Sequence, residues 1–266
     1  MIKIGFIGAG NMGTAMIRGL ATANLIAKEN IIVCGRSMEK IKPLETEFNG
    51  IKLTTDAEKL VEQADIIILA VKPYTIPEVL TSVKDKLTSK KIIVSVAAGV
   101  TIQNLEELTS VKAKIVRVMP NTPALVGEAM SSVSPNTNIT SEELREVTAI
   151  FTSFGEAEVV SENLMDAVIG VSGSSPAYVY MFIEALADGA VLSGMPRDKA
   201  YKFAAQAVLG AAKTVLETGE HPGKLKDMVT SPGGTTIEAV KSLENDGFRS
   251  AVINAVQAAA KKNSSM

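Results

Sequence analysis

The architecture follows from one stretch near the start of the chain, Ile4-Gly5-Phe6-Ile7-Gly8-Ala9-Gly10-Asn11-Met12-Gly13. Its apolar beginning predicts a short strand, and a helical pattern begins at Met12 directly after closely spaced glycines. Gly8 permits a tight turn, Gly10 lets a ligand approach the backbone, and Gly13 lets the helix pack on the strand. The positive end of the helix dipole then faces the loop, which suits a pyrophosphate. The alternative is a tight strand–helix turn that binds nothing.

The rest of residues 1–160 alternates β-branched apolar runs with amphipathic stretches. Strands are predicted at 2–7, 31–34, 51–54, 66–71, 92–96 and 115–119, with candidate edge strands at 129–133 and 157–160, and helices at 12–23, 38–48 and 76–87. Several strands are apolar almost throughout, as expected where both faces of a parallel sheet are buried. The alternation predicts an α/β fold, a doubly wound parallel sheet of the Rossmann type.

Residues 161–266 lose the strand signal and become helical in composition. Helices are predicted at 176–193, 196–218, 223–229, 235–243 and 248–261. The second is nearly apolar around 204–212, and a helix that is apolar on all sides must be buried on all sides. So short a segment has little interior of its own. We therefore expect an all-α domain in which another subunit covers the rest of this helix.

The scarce residue types exclude several classes of function. One Cys (Cys34) and one His (His221) leave no internal disulfide and no metal site built on several thiolates or imidazoles. His221 precedes Pro-Gly and is interpreted as structural. The formal net charge of −2 gives no general attraction to nucleic acid or to an acidic membrane. If the protein is an enzyme, something other than acid–base chemistry by its own side chains carries its reaction.

No apolar stretch is long enough to cross a bilayer, and polar residues and glycines interrupt the apolar N-terminal stretch that would otherwise resemble a signal peptide. We therefore expect a cytoplasmic protein that has neither a membrane nor a nucleic-acid partner.

The choice of dinucleotide is expected at the end of the second strand, Val33-Cys34-Gly35-Arg36-Ser37. NAD-preferring proteins usually carry Asp or Glu there to bind the ribose diol, but the first carboxylate here is Glu39. Arg36 and the Ser37 hydroxyl are suited instead to a 2′-phosphate. The sequence thus predicts NADPH, with NADH as the lesser cofactor. The alternative is that Arg36 is a solvated loop residue and Ser37 only caps the next helix.

Two further loops follow the carboxyl ends of strands, where open α/β sheets bind ligands. Ala70-Val71-Lys72-Pro73 ends the fourth strand and Ala97-Ala98-Gly99 follows the fifth, and their small residues would let a nicotinamide approach the backbone. Lys72 is either catalytic or a solvated charge. The predicted cofactor-binding residues are Gly8, Gly10, Asn11, Met12, Gly13, Arg36, Ser37, Ala70, Val71, Lys72, Pro73, Ala97, Ala98, Gly99 and Asn121.

A second glycine loop, Ser231-Pro232-Gly233-Gly234-Thr235-Thr236, precedes a helix of the C-terminal part. Free backbone N–H groups at a helix N-terminus suit a small anion, and the three hydroxyls can orient it. The alternative is an ordinary helix start capped by a threonine.

This loop and the preceding block, His221-Pro222-Gly223-Lys224-Leu225-Lys226-Asp227, resemble the signature of the Δ1-pyrroline-5-carboxylate reductases. Further matches are the opening stretch, Ala70-Val71-Lys72-Pro73, Met119-Pro120-Asn121-Thr122-Pro123 and Ser172-Gly173-Ser174-Ser175-Pro176-Ala177-Tyr178. The resemblance covers essentially the whole chain. Ser175 and Ala129 stand where the family often has Gly, which puts fine loop geometry in doubt and not the activity.

The resemblance implies reduction of the cyclic imine Δ1-pyrroline-5-carboxylate to L-proline, the last step of proline biosynthesis. It also implies homodimers through the C-terminal helices, commonly five of them in a decamer. Matched residue by residue, Thr236 is the catalytic residue and hydrogen-bonds the substrate ring nitrogen. The implied substrate-binding residues are Ser231, Gly233, Gly234, Thr235 and Thr236.

Two other functions remain open from the residues. A β-hydroxyacid dehydrogenase also joins a dinucleotide domain to helices, but it uses a Lys after a Gly-rich run, and residues 170–181 contain no Lys. A non-catalytic NADP-binding regulatory protein would keep the fold without the reaction. The intact second glycine loop argues against this last possibility.

Overall fold

The computed structural model describes residues 2–109 and 112–265. The first residue of the predicted domain 1–160 and the last residue of the predicted domain 161–266 lie outside these ranges. The chain divides into two units, Met1–Gly173 with Ala259–Met266, and Ser174–Ala258. The last helix, Phe248–Ser264, begins in the second unit, and its final turns belong to the first.

Among the described residues, an eight-stranded sheet forms the centre of the first unit. The strands are β1 (Ile4–Ile7), β2 (Ile31–Cys34), β3 (Lys52–Thr54), β4 (Ile66–Leu69), β5 (Ile92–Ser95), β6 (Lys114–Met119), β7 (Ala129–Pro135) and β8 (Gly155–Val159). They lie in the order β3-β2-β1-β4-β5-β6-β7-β8. The predicted doubly wound sheet is confirmed, and both candidate edge runs are strands.

One pairing departs from the parallel pattern, because β7 runs antiparallel to β6. A parallel return needs a crossover, usually a helix. The connection here contains only a short 3₁₀ turn, Thr122–Val126, so the chain comes back in the opposite direction. Strand β8 is again parallel to β7 because α6 (Ser141–Thr152) supplies the crossover.

Helices cover both faces of this sheet. In chain order they are α1 (Asn11–Ala23), α2 (Met38–Glu47), α3 (Ala57–Gln63), α4 (Ile76–Val83), α5 (Ile102–Leu108), α6 and α7 (Met165–Val168). Buried residues of α1, α2 and α6 pack on one face of the sheet, and those of α3, α4 and α5 on the other. Alternate residues of β1 serve both layers, since Phe6 belongs to the first cluster and Ile7 to the second. This explains why the strand is apolar throughout.

The segment that follows β8 is held on the first unit by polar contacts. The carboxylate oxygen Oε1 of Glu162 accepts hydrogen bonds from the Arg117 guanidinium at 2.9 Å and from the Ile102 backbone at 2.8 Å. The amide of Asn263, near the end of the last helix, donates to the Asp166 carboxylate at 2.6 Å. These bonds tie the segment between β8 and the second unit to β6, to α5 and to the last helix.

The second unit is built from helices α8 (Ser175–Leu192), α9 (Arg197–Thr218), α10 (Pro222–Met228), α11 (Thr235–Asn245) and most of α12 (Phe248–Ser264). All five predicted helices are present, with ends shifted by at most a few residues. In the described part of the chain, no helix has both the length and the apolar character needed to cross a membrane.

The second unit has a very small interior. Within residues 174–258, all of them described, the buried residues are Ala187, Ala200 and Ala204. Large apolar side chains on α8 and α9 lie at the surface, and Met181 and Phe203 are 68% and 64% exposed. Burial of such side chains is what stabilises a fold, so this unit leaves much of its apolar surface without cover.

The Glu162–Arg117 ion pair gives a test of the packing of the first unit. Glu162→Ala leaves the Arg117 guanidinium, on a residue that is 4% exposed, without its carboxylate. We expect a loss of about 3 kcal/mol in the free energy of unfolding, because an unpaired buried charge is strongly destabilising. Urea denaturation at a fixed protein concentration measures this loss.

Arg117→Met removes the charge itself and keeps an apolar side chain in its place, so its loss should be clearly smaller. Exposed Glu158→Ala on β8 serves as the control, with an expected change of less than about 0.5 kcal/mol. Equal losses in Glu162→Ala and Arg117→Met would show that the unpaired charge is not the cause.

Candidate active site

The first glycine loop connects β1 to α1, and a side chain would meet different surroundings at each of its glycines. Gly8 has φ +104°, and a Cβ there would lie 2.5 Å from the carbonyl oxygen of Ala70. A Cβ on Gly13 would lie 2.5 Å from the carbonyl oxygen of Gly8. A Cβ on Gly10 would meet no protein atom within 4 Å. The fold itself therefore requires Gly8 and Gly13, whereas Gly10 leaves open space above the loop.

The N-terminus of α1 faces that open space. Gly10 is the N-cap residue, no side chain caps the helix, and its first turn contains no acidic residue. The backbone N–H groups of Asn11, Met12 and Gly13 therefore have no partner within the helix. Unpaired N–H groups at the positive end of a helix dipole fit a pyrophosphate. The structure thus favours a phosphate loop over a turn that binds nothing.

Arg36 and Ser37 follow β2 at the same edge of the sheet. Ser37 is the N-cap residue of α2, but its hydroxyl makes no capping hydrogen bond. Arg36 is exposed, and no ion pair to it occurs among the described residues. Both polar groups are therefore free to hold a ligand, and the alternative in which Ser37 serves only as a cap is not what the structure shows.

Asp56 is a charged residue that the sequence analysis overlooked at this edge. Strands β2 and β3 are parallel with Cys34 opposite Thr54, and the Gly35 N–H donates to the Thr54 carbonyl at 3.2 Å. Two residues later, Asp56 caps α3 by accepting from the Lys59 N–H at 3.1 Å. That hydrogen bond lowers the pKa of Asp56 below its usual value. An Asp just before a helical run was the available signal.

The Asp56 carboxylate acts on the pKa of Cys34 at the end of β2. The pKa of the Cys34 thiol is raised, mainly by burial and further by the Asp56 carboxylate. The thiol is buried and protonated, which agrees with a packing role for Cys34.

The loops after β4, β5 and β6 complete the edge. Because β2, β1, β4, β5 and β6 are parallel, their carboxyl ends meet on one side of the sheet. Ala70-Val71-Lys72-Pro73 follows β4 and Ala97-Ala98-Gly99 follows β5, with Gly99 at φ +75°. Lys72 is exposed, and no described residue forms an ion pair with it. The predicted cofactor residues thus come together along one edge.

Asn121 follows β6 and has a different character from its neighbours. It is 7% exposed, its Oδ1 accepts from the Met130 N–H at 2.9 Å, and its Nδ2 donates to the Ser172 carbonyl at 3.1 Å. The side chain therefore fixes two backbone segments of the first unit. Its contribution to this edge is to hold the loop in shape.

The second glycine loop lies within the second unit, before α11. Gly234 is the N-cap residue in an extended conformation, with no side-chain cap, and Gly233 has φ +64°. The Gly234 N–H donates to the Ser231 carbonyl at 3.0 Å, and a Cβ on Gly234 would collide with the Ser231 hydroxyl. The threonine-capped helix start is therefore not what the structure shows.

Three residues of this loop carry hydroxyls, and all three are exposed: Ser231, Thr235 and Thr236. No residue in the described ranges forms a hydrogen bond with any of these three hydroxyls. The turn is closed instead by the backbone hydrogen bond from Gly234 to Ser231. The loop thus combines free N–H groups at a helix start with free hydroxyls, a set that fits a carboxylate and a neighbouring polar atom.

His221 has a structural task. It is the N-cap residue of α10, and its Nδ1 accepts from the Gly223 N–H at 3.0 Å. This contact accounts for the imidazole without any part in catalysis.

Comparisons with known proteins agree with this geometry. Residues 162–266 match a family model described as pyrroline-5-carboxylate reductase dimerisation, and residues 3–99 match one described as NADP oxidoreductase coenzyme F420-dependent. The chain is 55% identical to the pyrroline-5-carboxylate reductase of Escherichia coli K12 over 254 residues, which cover 96% of this chain and 94% of that protein. It is 49% identical to the enzyme of that name from Methanosarcina acetivorans over 98% of this chain and 96% of that protein.

Among solved structures, the chain resembles the pyrroline carboxylate reductase of Plasmodium falciparum with NADP bound. The TM-score is 0.90 at 38% identity, with coverage of 99% of this chain and 97% of that chain.

The glycine geometry gives a direct test of the phosphate loop. Gly10→Ala adds a methyl group that meets no protein atom, so the melting temperature should fall by at most the few degrees that Ala costs in place of Gly at an N-cap. The same methyl group occupies the space proposed for the pyrophosphate, so the Kd for NADPH should rise about tenfold or more. Nicotinamide fluorescence titration measures the Kd.

Gly13→Ala is the matched contrast, because its methyl group strikes the Gly8 carbonyl and should lower the melting temperature. An unchanged Kd for NADPH in Gly10→Ala would place the cofactor phosphates elsewhere.

Proposed function

This chain belongs to the family of pyrroline-5-carboxylate reductases, and we propose how its residues divide the work of the reaction. It is an NADPH-dependent oxidoreductase that reduces the C=N bond of Δ1-pyrroline-5-carboxylate to give L-proline, the last step of proline biosynthesis. The near-complete alignment with named reductases carries this conclusion. It confirms the family expected from the sequence and removes the β-hydroxyacid dehydrogenase alternative.

The carboxyl edge of the sheet fits NADPH, which supplies the hydride when bound. We propose that the N-terminus of α1, over Gly8 to Gly13, holds the pyrophosphate through its unpaired N–H groups. Arg36 and Ser37 would hold the 2′-phosphate, since neither side chain has a hydrogen-bond or ion-pair partner within the described chain. The loops at Ala70–Pro73 and Ala97–Gly99 would receive the nicotinamide end, with Asn121 keeping the neighbouring backbone in place.

The second glycine loop is proposed as the substrate site. The substrate carboxylate would accept from the N–H groups at the start of α11 and from the Ser231 hydroxyl, with Gly233 and Gly234 shaping the turn. Thr235 supplies both a backbone N–H and a hydroxyl. The Thr236 hydroxyl would hydrogen-bond the ring nitrogen. The support is that these groups are exposed and that no described residue uses them.

These residues are suited to orienting a reaction that needs little acid–base chemistry from the protein. A protonated cyclic imine is already electrophilic, so the hydride adds to its carbon and the C=N electron pair moves to the nitrogen. The Thr236 hydroxyl titrates far above neutral pH and cannot act as a strong acid, so its part is to fix the ring. Holding two reactants in the right geometry accounts for a large share of such a rate enhancement.

The C-terminal helices are proposed to form the subunit interface. We assign residues 1–160 to NADP binding and residues 161–266 to substrate binding and dimerisation, and the dimerisation model matches residues 162–266. The exposed apolar side chains of α8 and α9 support a homodimer through this part. An assembly of five dimers and a cytoplasmic location stay predictions from the sequence and its resemblance.

The activity is tested by following NADPH absorbance with pyrroline-5-carboxylate, then NADP reduction with 3-hydroxyisobutyrate, then either cofactor alone. We expect oxidation of NADPH with the imine and no reaction in the other two assays. Turnover of 3-hydroxyisobutyrate, or no turnover with any substrate, would contradict the assignment.

The role of Thr236 is tested in the same assay. Thr236→Ala should lower kcat about 10- to 100-fold because the substrate ring loses its positioning hydrogen bond, while the Kd for NADPH stays within about twofold. Thr236→Ser keeps the hydroxyl and should retain most of the activity. A loss of NADPH affinity in Thr236→Ala would refute the separation between cofactor and substrate residues.

The role of Arg36 is tested through cofactor discrimination. Arg36→Ala removes the charge proposed for the 2′-phosphate, so KM for NADPH should rise about tenfold or more while KM for NADH stays within about twofold. Lys40→Ala removes an exposed positive charge from the first turn of α2 and is the matched control. If the ratio of the two KM values is unchanged in Arg36→Ala, Arg36 does not bind the 2′-phosphate.

A further inference from the structure

The edge formed by β2 and β3 carries charges of both signs next to the proposed 2′-phosphate position. Arg36 follows β2, and Asp56 follows β3. We infer that Asp56 limits the preference for NADPH over NADH, because its fixed carboxylate opposes the 2′-phosphate that Arg36 attracts. This inference rests on the proposed role of Arg36 and Ser37.

The closeness of the two residues follows from the sheet. The hydrogen bond from the Gly35 N–H to the Thr54 carbonyl extends the β2–β3 ladder beyond the last paired residues. Neighbouring strands lie about 5 Å apart, so the residues that directly follow β2 and β3 start close together before the chain turns into α2 on one face of the sheet and into α3 on the other. Asp56 also lies close enough to β2 for its charge to act on the Cys34 thiol.

The carboxylate is held in place at this edge. Its Oδ1 accepts from the Lys59 N–H at 3.1 Å, and the Asp56 N–H donates to the Thr54 hydroxyl at 3.0 Å. The side chain is short and its Oδ1 is bonded to the first turn of α3, so the carboxylate stays near this edge. An exposed Asp is ionised at neutral pH in any case, and the hydrogen bond from the Lys59 N–H lowers its pKa further.

The neighbouring cation does not cancel this charge. The Lys59 ammonium lies 3.5 Å from the Asp56 carboxylate, and the two side chains are 71% and 42% exposed. Such exposed pairs are weak and mobile. Loss of the Asp56 charge would therefore remove a repulsion of the 2′-phosphate and strengthen NADPH binding. NADH lacks the 2′-phosphate, so this effect does not act on it.

Asp56→Asn tests the inference with little disturbance of the fold, since Asn caps helices as well as Asp does. In the full-length protein at low ionic strength, we expect the Kd for NADPH to fall about three- to tenfold. The Kd for NADH should stay within about twofold. In about 1 M salt the gain should shrink, because the Debye length there is about 3 Å. Nicotinamide fluorescence titration measures both constants.

Glu45→Gln is the matched control, because it neutralises an exposed carboxylate near the far end of α2 and should leave both constants unchanged. An equal shift for NADPH and NADH in Asp56→Asn would indicate a rearranged loop and overturn the inference. So would the absence of any shift.

Arg36→Ala, measured beside it, separates the inference from the assignment on which it rests. If Arg36→Ala changes the NADPH-to-NADH ratio and Asp56→Asn does not, only the inference about Asp56 fails. If Asp56→Asn changes the ratio and Arg36→Ala does not, Asp56 lies near the phosphate and the assignment of Arg36 is the one that fails.

Discussion

The first unit of this protein depends on a close contact between two backbone segments. Gly13 in the first turn of α1 lies against the carbonyl oxygen of Gly8, with no room for a methyl group. This contact holds the helix on the end of β1 and points its unpaired N–H groups toward open space. The dipole of the helix can then act on an anion, which a helix set further away could not do as strongly. Unpaired N–H groups that follow a glycine turn occur again at the start of α11 in the second unit.

Much of the fold could be predicted because parallel strands buried on both faces leave a strong signal. The six main strands differ from their predicted limits by at most two residues. The antiparallel β7 was not predicted as such, since its direction depends on whether the preceding connection holds a helix. The place of Asp56 could not be predicted from β2 alone, because this edge is shared with β3 and the pairing of the two strands is a property of the fold. Asn121 stays a predicted cofactor residue, and the hydrogen bonds of its side chain to the backbones of Met130 and Ser172 could not be foreseen, because they depend on the tertiary fold.

The scarcity of acid–base residues in the sequence is consistent with what the side chains do in the structure. The single imidazole caps a helix and the single thiol is buried. What the chain offers instead are backbone N–H groups, hydroxyls and an arginine, which bind and orient but do not transfer protons at neutral pH. A reductase whose hydride comes from a cofactor needs little more from its side chains. The exposed apolar side chains of the second unit are explained by subunit contact, because apolar surface that one chain leaves uncovered is available to a second chain.

The last helix has a consequence for how the protein is made. The chain leaves the first unit at Gly173, and its residues from Ala259 onward return to that unit, where the Asn263 side chain is buried and bonded to Asp166. A ribosome builds the chain from the N-terminus, so residues 1–173 are made well before the stretch that begins at Ala259. The first unit therefore lacks this contact until the whole second unit has been synthesised.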